Sequence, residues 1–514
     1  MDTVALHRRR GASRALYDEM RARIADGTYA RGAALPSTRA LAAERGLSRG
    51  TVSLVYEHLA ADGLIESRAG AASRVARAAA TAAAAPPAGR GGAARPLPLP
   101  QPQKAGRPAG RLSAVARRIA ALGIGDAGPA APGEIDFVYG PLAGADFPTL
   151  TWMKALRAVE RQRPRRLEYD DPRGHLDLRR ALQRHLSQAR GLACGVEQIM
   201  IVNGSQQALD LCARLLVDAG DGVVVENPGY RMAHHAFEAA GARLLCIDVD
   251  AHGLCTDRLD AVPAARLAYV TPTHQFPLGS LLPIARRRAL LAWAARRRAW
   301  VIEDDYDSEY RYAVRPEATL QSLDGAGRVI HVGTFSKTLS PQLRLGYMVL
   351  PTALVATFTA ARRAADRHAA TGTQRALARL LDDGSYDRHV RRMRRLQQAR
   401  QHALVDALAR HLGDTVRVEG AASGLHLVAW LPALPAATEP ALVQAARARG
   451  VRVHPIGPLF HPSTRTRTKP PRRPAGLVMG YALLERDAIN EGVRRLAEAV
   501  ASLRGKRRRG VTPR

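Results

Sequence analysis

The stretch TFSKTLSPQLRLGY, from Thr334 to Tyr347, decides the fold of the larger part of this protein. Its Lys337 stands beside small hydroxyl residues directly after an apolar run, and such a lysine supplies an amine for a Schiff base. Arg344 follows seven residues later and supplies a cation that can clamp a phosphate. We expect the hydroxyls of Thr334 and Ser336 to assist there. Alone the motif is weak, because a lysine in an exposed loop is usually only solvated.

Similar apolar runs recur through residues 133–503 and alternate with helical stretches. They are IMIVNG (Ile199–Gly204), VVVENP (Val223–Pro228), LAYVTP (Leu267–Pro272), WVIEDD (Trp300–Asp305) and VIHVGT (Val329–Thr334). Near-continuous apolar strands separated by helices predict a mostly parallel sheet covered on both faces, that is, an α/β domain. Each run ends in small, polar or charged residues, at the edge of the sheet where ligands bind in such folds.

The run IEDDYDSEY, from Ile302 to Tyr310, places acids and phenols at one of these strand ends. A carboxylate there could hold a pyridine nitrogen protonated, and a phenol two residues on could donate to the 3′-oxygen of the ring. The five acids from Glu303 to Glu309 could instead bind a metal or merely face water. The apolar strand that leads into them argues against an idle surface loop.

Two further strand ends complete a cofactor site. In VNGSQQALDL, Ser205 and Gln206 open a helix and offer N–H groups and a helix dipole to an anion. In ENPGY, Tyr230 can stack on a flat cofactor. Each piece alone fits an ordinary strand-to-helix connection. All four at successive strand ends of one domain indicate a single organic cofactor, with no metal.

Residues 8–76 predict a small unit of short helices followed by a hairpin. Leu16, Met20 and Ile24 form a helical stripe. A second helix is expected from Thr38 to Arg45, with Gly46 as the breaker. Ser48 then caps a third helix, from Arg49 to about Ala61, and two strands follow between Leu64 and Val75. A helix, a turn and a second helix with exposed Arg49, Thr51 and Ser53 suit the major groove of double-stranded DNA.

The composition and charge of the whole chain bear on its partners and its location. With 77 lysines and arginines against 46 acids, the net charge is +31, which favours a polyanionic partner, although arginine is abundant throughout the chain. Residues 77–132 are rich in alanine, proline and glycine and predict a basic linker, and residues 504–514 a basic tail. The four cysteines show no CxxC pair, which indicates thiols in a reducing cytoplasm. No membrane span or signal peptide is predicted.

The order of motifs identifies families. LPSTR, SRGTV and the following Tyr56 and Gly63 resemble the winged helix-turn-helix of GntR regulators, although Gly70–Ser73 departs from the usual Gly-Ser-Gly-Thr wing turn. Residues from Gly133 to Leu503 resemble the fold type I aminotransferases, which combine an α/β domain with a smaller α+β subdomain. The whole chain resembles the MocR subfamily, whose strings THQFPLG and EDDYDSEY occur here as Thr273–Gly279 and Glu303–Tyr310.

The resemblance implies pyridoxal 5′-phosphate as cofactor, with Lys337 forming the internal aldimine, and a homodimer. It assigns the pyridine nitrogen to Asp304, the 3′-oxygen to Tyr306, ring stacking to Tyr230, and the phosphate to Ser205, Gln206, Thr334 and Arg344. The DNA contacts that it implies are Arg39, Ser48, Arg49, Thr51 and Arg68.

Two departures separate this chain from a working aminotransferase. Phe276 stands in the segment FPLG where such enzymes have an asparagine, and GLVMGYALLE (Gly476–Glu485) lacks the arginine that grips the substrate carboxylate. Arg231, Arg472 or Arg473 could substitute. We therefore expect a transcription regulator that senses an amine, an amino acid or the cofactor through an aldimine at Lys337.

Two alternatives remain from the sequence. One is an active aminotransferase with a vestigial DNA-binding unit. The other is a nonspecific nucleoid binder driven by charge, to which the basic tail and the loop from His461 to Arg473 would contribute.

Overall fold

The structure is a computed structural model. It describes residues 3–66, 72–76, 110–125, 128–162, 166, 168–312, 317–461 and 473–509, and the side chains of residues 3–12 and 505–509 lie outside that description. The chain divides into two compact units, Met1–Arg107 and Pro108–Arg514. Along the described residues, no helix combines the length and apolar character needed to cross a membrane.

The N-terminal unit has the predicted helices followed by two short strands. They are α1 (Thr3–Ala25), α2 (Thr38–Arg45), α3 (Arg49–Ala61), β1 (Ile65–Glu66) and β2 (Arg74–Val75). The predicted bounds of α2 and α3 are confirmed. Gly46 ends α2 in the left-handed conformation, with φ of 62°, and the Ser48 hydroxyl accepts the Thr51 N–H at 3.2 Å to begin α3.

The core of this unit joins the predicted apolar faces. Leu16, Met20 and Ile24 of α1 pack with Val52 and Leu59 of α3, and all five are buried. Burial of this stripe fixes how α3 lies against α1, because the exposed N-terminal end of α3 cannot turn inward without exposing the core.

The larger unit contains helices and strands that alternate along much of its length. The helices are α4 (Ala114–Ala121), α5 (Thr149–Glu160), α6 (Leu176–Arg190), α7 (Ser205–Leu216), α8 (Arg231–Ala240), α9 (Ile284–Arg297), α10 (Leu320–Leu323), α11 (Thr352–Ala365), α12 (Thr371–Asp382), α13 (Ser385–Leu412), α14 (Glu439–Arg447) and α15 (Arg486–Arg509). The strands are β3 (Ile135–Asp136), β4 (Ile199–Val202), β5 (Gly222–Asn227), β6 (Arg243–Asp250), β7 (Gly253–Leu254), β8 (Ala265–Val270), β9 (Trp300–Asp305), β10 (Val329–Thr334), β11 (Gly346–Val349), β12 (Arg417–Glu419), β13 (His426–Pro435), β14 (Val451–Arg452), β15 (His454–Pro455) and β16 (Pro474–Gly480).

The main sheet has eight strands in the order β4-β11-β10-β9-β8-β5-β6-β7. Strands β6, β5, β8, β9 and β10 are parallel neighbours, so the predicted mostly parallel sheet is confirmed. β11 is antiparallel to both β10 and β4, which the sequence did not predict. The chain reverses there through Arg344, whose φ of 51° is left-handed. Because the parallel strands share a direction, their carboxyl ends meet at one edge.

A smaller antiparallel sheet, β12-β13-β16-β15, lies with α13, α14 and α15 around a second core. This matches the predicted α+β subdomain. β13 also carries His426 at its first position, which brings the subdomain to the edge of the main sheet.

The linker predicted over residues 77–132 differs from the structure at its C-terminal end. Ser113 caps α4, and the Arg118 guanidinium donates to the carbonyls of Ala239 and Ala240, at 2.8 and 3.2 Å. These carbonyls lie at the end of α8, where helix carbonyls lack internal partners. At the other end of the unit, α15 continues through Arg509, so the predicted tail begins inside a helix.

Gly174, before α6, provides a test of how closely the larger unit is packed. Its φ is +101°, and an added Cβ would lie 2.4 Å from Cγ1 of Ile201. We expect Gly174→Ala to lower the free energy of unfolding by about 3 kcal/mol, from overpacking and backbone strain. Thermal unfolding followed by tryptophan fluorescence reports on this unit alone, because all four tryptophans lie in it.

The matched control is Gly372→Ala in α12, where no atom lies within 4 Å of the added Cβ and φ is not positive. It should leave the midpoint unchanged or raise it slightly, because alanine favours a helix. Equal midpoints for the two variants would contradict the packing argument at Gly174.

Candidate functional site

A cavity of about 350 Å³ lies at the carboxyl edge of the main sheet. The structure brings together there all the residues that the sequence proposed for a cofactor: Ser205, Gln206, Tyr230, Asp304, Tyr306, Thr334, Ser336, Lys337 and Arg344. They come from the ends of β4, β5, β9 and β10, so the shared direction of these strands explains their convergence.

Lys337 follows β10, and its side chain is half-buried and lines the cavity. Nζ donates to the carbonyl of Gly140 at 2.9 Å. Burial lowers the pKa of Lys337, and the charges of Asp307 and Asp304 oppose that shift. A lysine whose pKa falls is neutral in a larger fraction of molecules, and only the neutral amine attacks a carbonyl carbon.

Asp304 closes the opposite part of the cavity and is 4% exposed. Tyr269 donates its hydroxyl to Oδ2 at 2.7 Å, whereas Oδ1 has no hydrogen-bond partner among the described residues. Burial raises the pKa of this carboxyl to about 6. An unpartnered carboxylate oxygen at this depth is suited to a cationic N–H donor.

The remaining polar residues form a cup for an anion. Ser205 and Gln206 are the first residues of α7, and Arg344 is held beside them by a 2.8 Å bond from Nη2 to the carbonyl of Asn203. Gly204 has φ of +79°, a backbone conformation that favours glycine, and a Cβ there would lie 2.7 Å from Nη2. Together with the Thr334 hydroxyl, a helix N-terminus and a guanidinium provide the donors that a phosphate needs.

Aromatic rings form the wall between these groups. The rings of Tyr230 and Phe276 have centroids 5.7 Å apart, and those of Tyr139 and Phe276 lie 5.4 Å apart. Burial raises the pKa of Tyr230 to about 12, so its ring stays neutral. The wall offers flat, uncharged surfaces of the kind on which a planar ring stacks.

Sequence reasoning missed several residues at this site. Tyr269 contacts Asp304, His274 contacts Tyr306, and Asp307 and His426 line the cavity. The strings LAYVTP and THQFPLG contained Tyr269 and His274 but gave no sign of the side chains that they contact. His426 stands in a different subdomain, and nothing in the chain around it indicates a site.

The cavity offers few cations to a carboxylate. Among the described residues that line it, the basic ones are Lys337, Arg344 and His426. Of the arginines suggested as substitutes, Arg473 is paired with Glu439 at 2.7 Å, Arg231 is not among the lining residues, and Arg472 lies outside the described residues. Val478, in the segment where an arginine was sought, is buried in a cluster with Phe276.

The N-terminal unit presents a separate candidate DNA surface. Arg39, Ser48 and Arg49 are exposed and Thr51 is half-buried. The hydroxyls of Ser48 and Thr51 lie 2.8 Å apart, so Ser48 is engaged as the helix cap. Arg68, predicted as a further DNA contact, lies outside the described residues.

Both units match known protein families. Residues 12–75 match the bacterial regulatory proteins of the gntR family, and residues 139–472 match the aminotransferases of class I and II. The chain is similar to the probable rhizopine catabolism regulatory protein MocR of Rhizobium meliloti, with 36% identity over 95% of this chain and 94% of the relative. It is also similar to the HTH-type transcriptional regulator TauR of Rhodobacter capsulatus, with 33% identity over 93% of this chain and 94% of that one.

The chain is also similar to a solved structure, that of the kynurenine aminotransferase of Pyrococcus horikoshii. It has a TM-score of 0.66 and 27% identity, covering 77% of this chain and 96% of that chain. Members of this fold use pyridoxal 5′-phosphate. Because a GntR-type helix-turn-helix precedes an aminotransferase class I/II domain in one chain, the protein belongs to the MocR-type regulators of the GntR family of transcription regulators.

Proposed function

We propose that this protein regulates transcription through pyridoxal 5′-phosphate attached at Lys337, and that an amine, an amino acid or the cofactor itself is the signal. The observation that carries the proposal is the single buried cavity in which a lysine amine, an unpartnered carboxylate oxygen and an arginine-containing anion cup face one space. The same chain carries a GntR-type DNA-binding unit.

Each group fits one part of the cofactor. Oδ1 of Asp304 would accept from a protonated pyridine nitrogen, Tyr230 would stack on the ring, and the hydroxyl of Tyr306 would donate to the ring oxygen. Ser205, Gln206, Thr334, Ser336 and Arg344 would hold the phosphate. When bound, the cofactor would supply an electrophilic carbon, at which a free amine can replace the amine of Lys337.

We further propose that two copies of the chain act together and read two DNA half-sites with Arg39, Ser48, Arg49, Thr51 and Arg68. Large apolar side chains on the larger unit support a protein partner surface. Leu150 and Tyr169 are 84% and 74% exposed, and Met153 and Leu176 are also exposed. We place the functional units at residues 8–76 and 133–503, joined by residues 77–132.

The structure offers a route from the cavity toward the linker. Tyr230 lines the cavity and directly precedes α8, and Arg118 of α4 is bonded to the carbonyls at the other end of the same helix. A shift of Tyr230 on ligand exchange would move α8 and the helix attached to it. A ligand drives such a change only as far as its affinity differs between the two arrangements.

Cofactor attachment is the first prediction from this proposal. The full-length protein with added pyridoxal phosphate should develop a visible absorption band, and borohydride should remove this band and leave the cofactor covalently attached. Lys337→Ala should abolish the band because the amine is lost, whereas Lys154→Ala, at an exposed lysine of α5, should keep it. Covalent attachment that survives Lys337→Ala would place the cofactor on another residue.

The coupling to DNA is tested by gel shift over a salt series. Adding the cofactor should change DNA affinity or half-site preference about fivefold or more, the usual range for coupled sites. Arg118→Ala should keep the absorption band and reduce this response. Arg117→Ala serves as control, because Arg117 lies on the same helix but bonds to the carbonyl of Leu112. Identical curves with and without cofactor would refute the proposal.

A second candidate function is transamination, since a half-buried lysine, a carboxylate and an anion cup are also what that reaction requires. The scarcity of cations in the cavity leaves an amino-acid carboxylate poorly oriented, so we expect turnover of amino acid and 2-oxo acid pairs well below about 1 per second. The measurement is product formation by the reconstituted protein. Faster turnover that is lost in Lys337→Ala would favour the enzyme.

A further inference from the structure

A buried imidazole contacts the phenol that faces the proposed cofactor. Nδ1 of His274 lies 3.0 Å from the hydroxyl oxygen of Tyr306 and 2.9 Å from Oδ2 of Asp307. His274 and Asp307 are each 2% exposed, so water does not compete for these contacts. His274, Asp307 and Tyr306 form one continuous hydrogen-bonded group beside Lys337 in the cavity wall.

The chemistry of the three groups fixes the direction of the bonds. A carboxylate accepts hydrogen bonds and does not donate them, so Nδ1 of His274 must carry the proton that Asp307 receives. The same N–H then also points to the oxygen of Tyr306. That oxygen therefore acts as an acceptor toward His274, and the phenol's own proton is left for a group bound in the cavity.

The backbone around His274 is shaped to the ring. A Cβ at Gly424, whose φ is +81°, would lie 2.0 Å from Cε1 of His274 and 2.8 Å from Oδ2 of Asp307. A Cβ at Gly279 would lie 3.0 Å from Nε2. Gly424 thus leaves the space that the imidazole occupies, and Gly279 packs against both the imidazole and the backbone of Gly420.

The same region could be taken for a metal site. Candidate ligand atoms of His274, Asp307 and His426 lie within 4.8 Å of one another. However, Nδ1 of His274 is at hydrogen-bond distance from both Asp307 and Tyr306, and Nε2 of His426 lies 3.1 Å from the carbonyl of Pro277. Nε2 of His274, by contrast, has no hydrogen-bond partner among the described residues, so a chelator control is needed to distinguish a metal from this hydrogen-bonded arrangement.

We propose that His274, held by Asp307, is a positioning residue that turns the hydroxyl proton of Tyr306 toward the ring oxygen of the cofactor. This inference rests on the proposed attachment at Lys337. It also explains a departure from aminotransferases, since Phe276 occupies the place of a hydrogen-bonding asparagine and has no donor of its own. Tyr306 must then supply the bond to the ring oxygen, and a phenol free to rotate would supply it less often.

The consequence is a defined proton equilibrium. With the cofactor bound, the Tyr306 hydroxyl would donate to its ring oxygen and spread the negative charge there, so a proton shared with the nitrogen of Lys337 would be bound less tightly. Without an oriented donor, the oxygen keeps more charge and holds this proton more strongly. The pH at which the visible band titrates should therefore rise when His274 is lost.

The experiment compares two amides at one position in the full-length protein loaded with pyridoxal phosphate. His274→Asn keeps an amide near the place of Nδ1, whereas the amide of His274→Gln lies near the place of Nε2. We expect His274→Gln to raise the midpoint of the titration by about one pH unit, a tenfold change in proton affinity, and His274→Asn to stay near the wild type. His274→Leu should match His274→Gln and replaces it if that variant does not fold.

A double-variant cycle separates positioning from a general effect of the cavity. Tyr306→Phe alone should raise the midpoint, and adding His274→Gln to it should change little further, since both act through one bond. If His274→Gln shifted the titration midpoint equally with and without Tyr306, the positioning role would be overturned. An unchanged midpoint in His274→Gln alone would overturn it as well. Loss of the visible band on dialysis against a chelator would favour a metal instead.

The outcomes also distinguish this inference from the function on which it rests. No band in the wild type would refute the cofactor site and this role with it. A normal band whose midpoint ignores His274 would refute only the positioning role.

Discussion

Three consecutive carboxylates at the end of β9 govern the site, because all of them are buried and a buried charge needs a partner. The carboxylate of Glu303 lies 3.1 Å from Nδ1 of His331 and 3.6 Å from the guanidinium of Arg287. The carboxylate of Asp305 lies 3.3 Å from the guanidinium of Arg190. These cations come from β10, α9 and α6, so the ion pairs also tie the sheet to the helices on it. Asp304 differs from its neighbours, since its hydrogen-bond partner among the described residues is the neutral hydroxyl of Tyr269. The carboxylates on both sides of Asp304 are thus paired, whereas Oδ1 of Asp304 has no hydrogen-bond partner among the described residues.

The pattern of the sequence was sufficient for the parts of this site that are local. An apolar run, a polar end and a following helix can be recognised within ten or so residues, which is why the strand ends carrying Lys337, Asp304 and Ser205 were predicted and why the caps at Gly46 and Ser48 were placed. Parallel strands then bring these ends together as a matter of topology, without any information about side-chain contacts.

What the sequence could not supply are contacts between segments with no periodic signal. His274 and Asp307 are 33 positions apart and meet because β8 and β9 are neighbours in the sheet, and His426 arrives from another subdomain. The reversal at Arg344 depends on one left-handed residue, which apolar patterning does not register. The docking of α4 was missed for a different reason, since its alanine-rich composition is equally typical of a linker and its attachment depends on Arg118 finding two carbonyls far along the chain.

Two apolar side chains occupy segments in which aminotransferases carry polar substrate-binding residues, and this bears on the function of the cavity. Phe276 and Val478 belong to one buried cluster with Trp430 and Ile456, so the two segments in which an asparagine and an arginine were sought are packed among apolar side chains. Catalysis needs interactions that strengthen in the transition state, and a fixed carboxylate is one way to provide them. The sensor proposed above needs only that ligand occupancy at its site change with ligand concentration and that the protein respond to it. Slow chemistry is an advantage for that purpose, because a ligand that is turned over quickly would erase the signal that it carries.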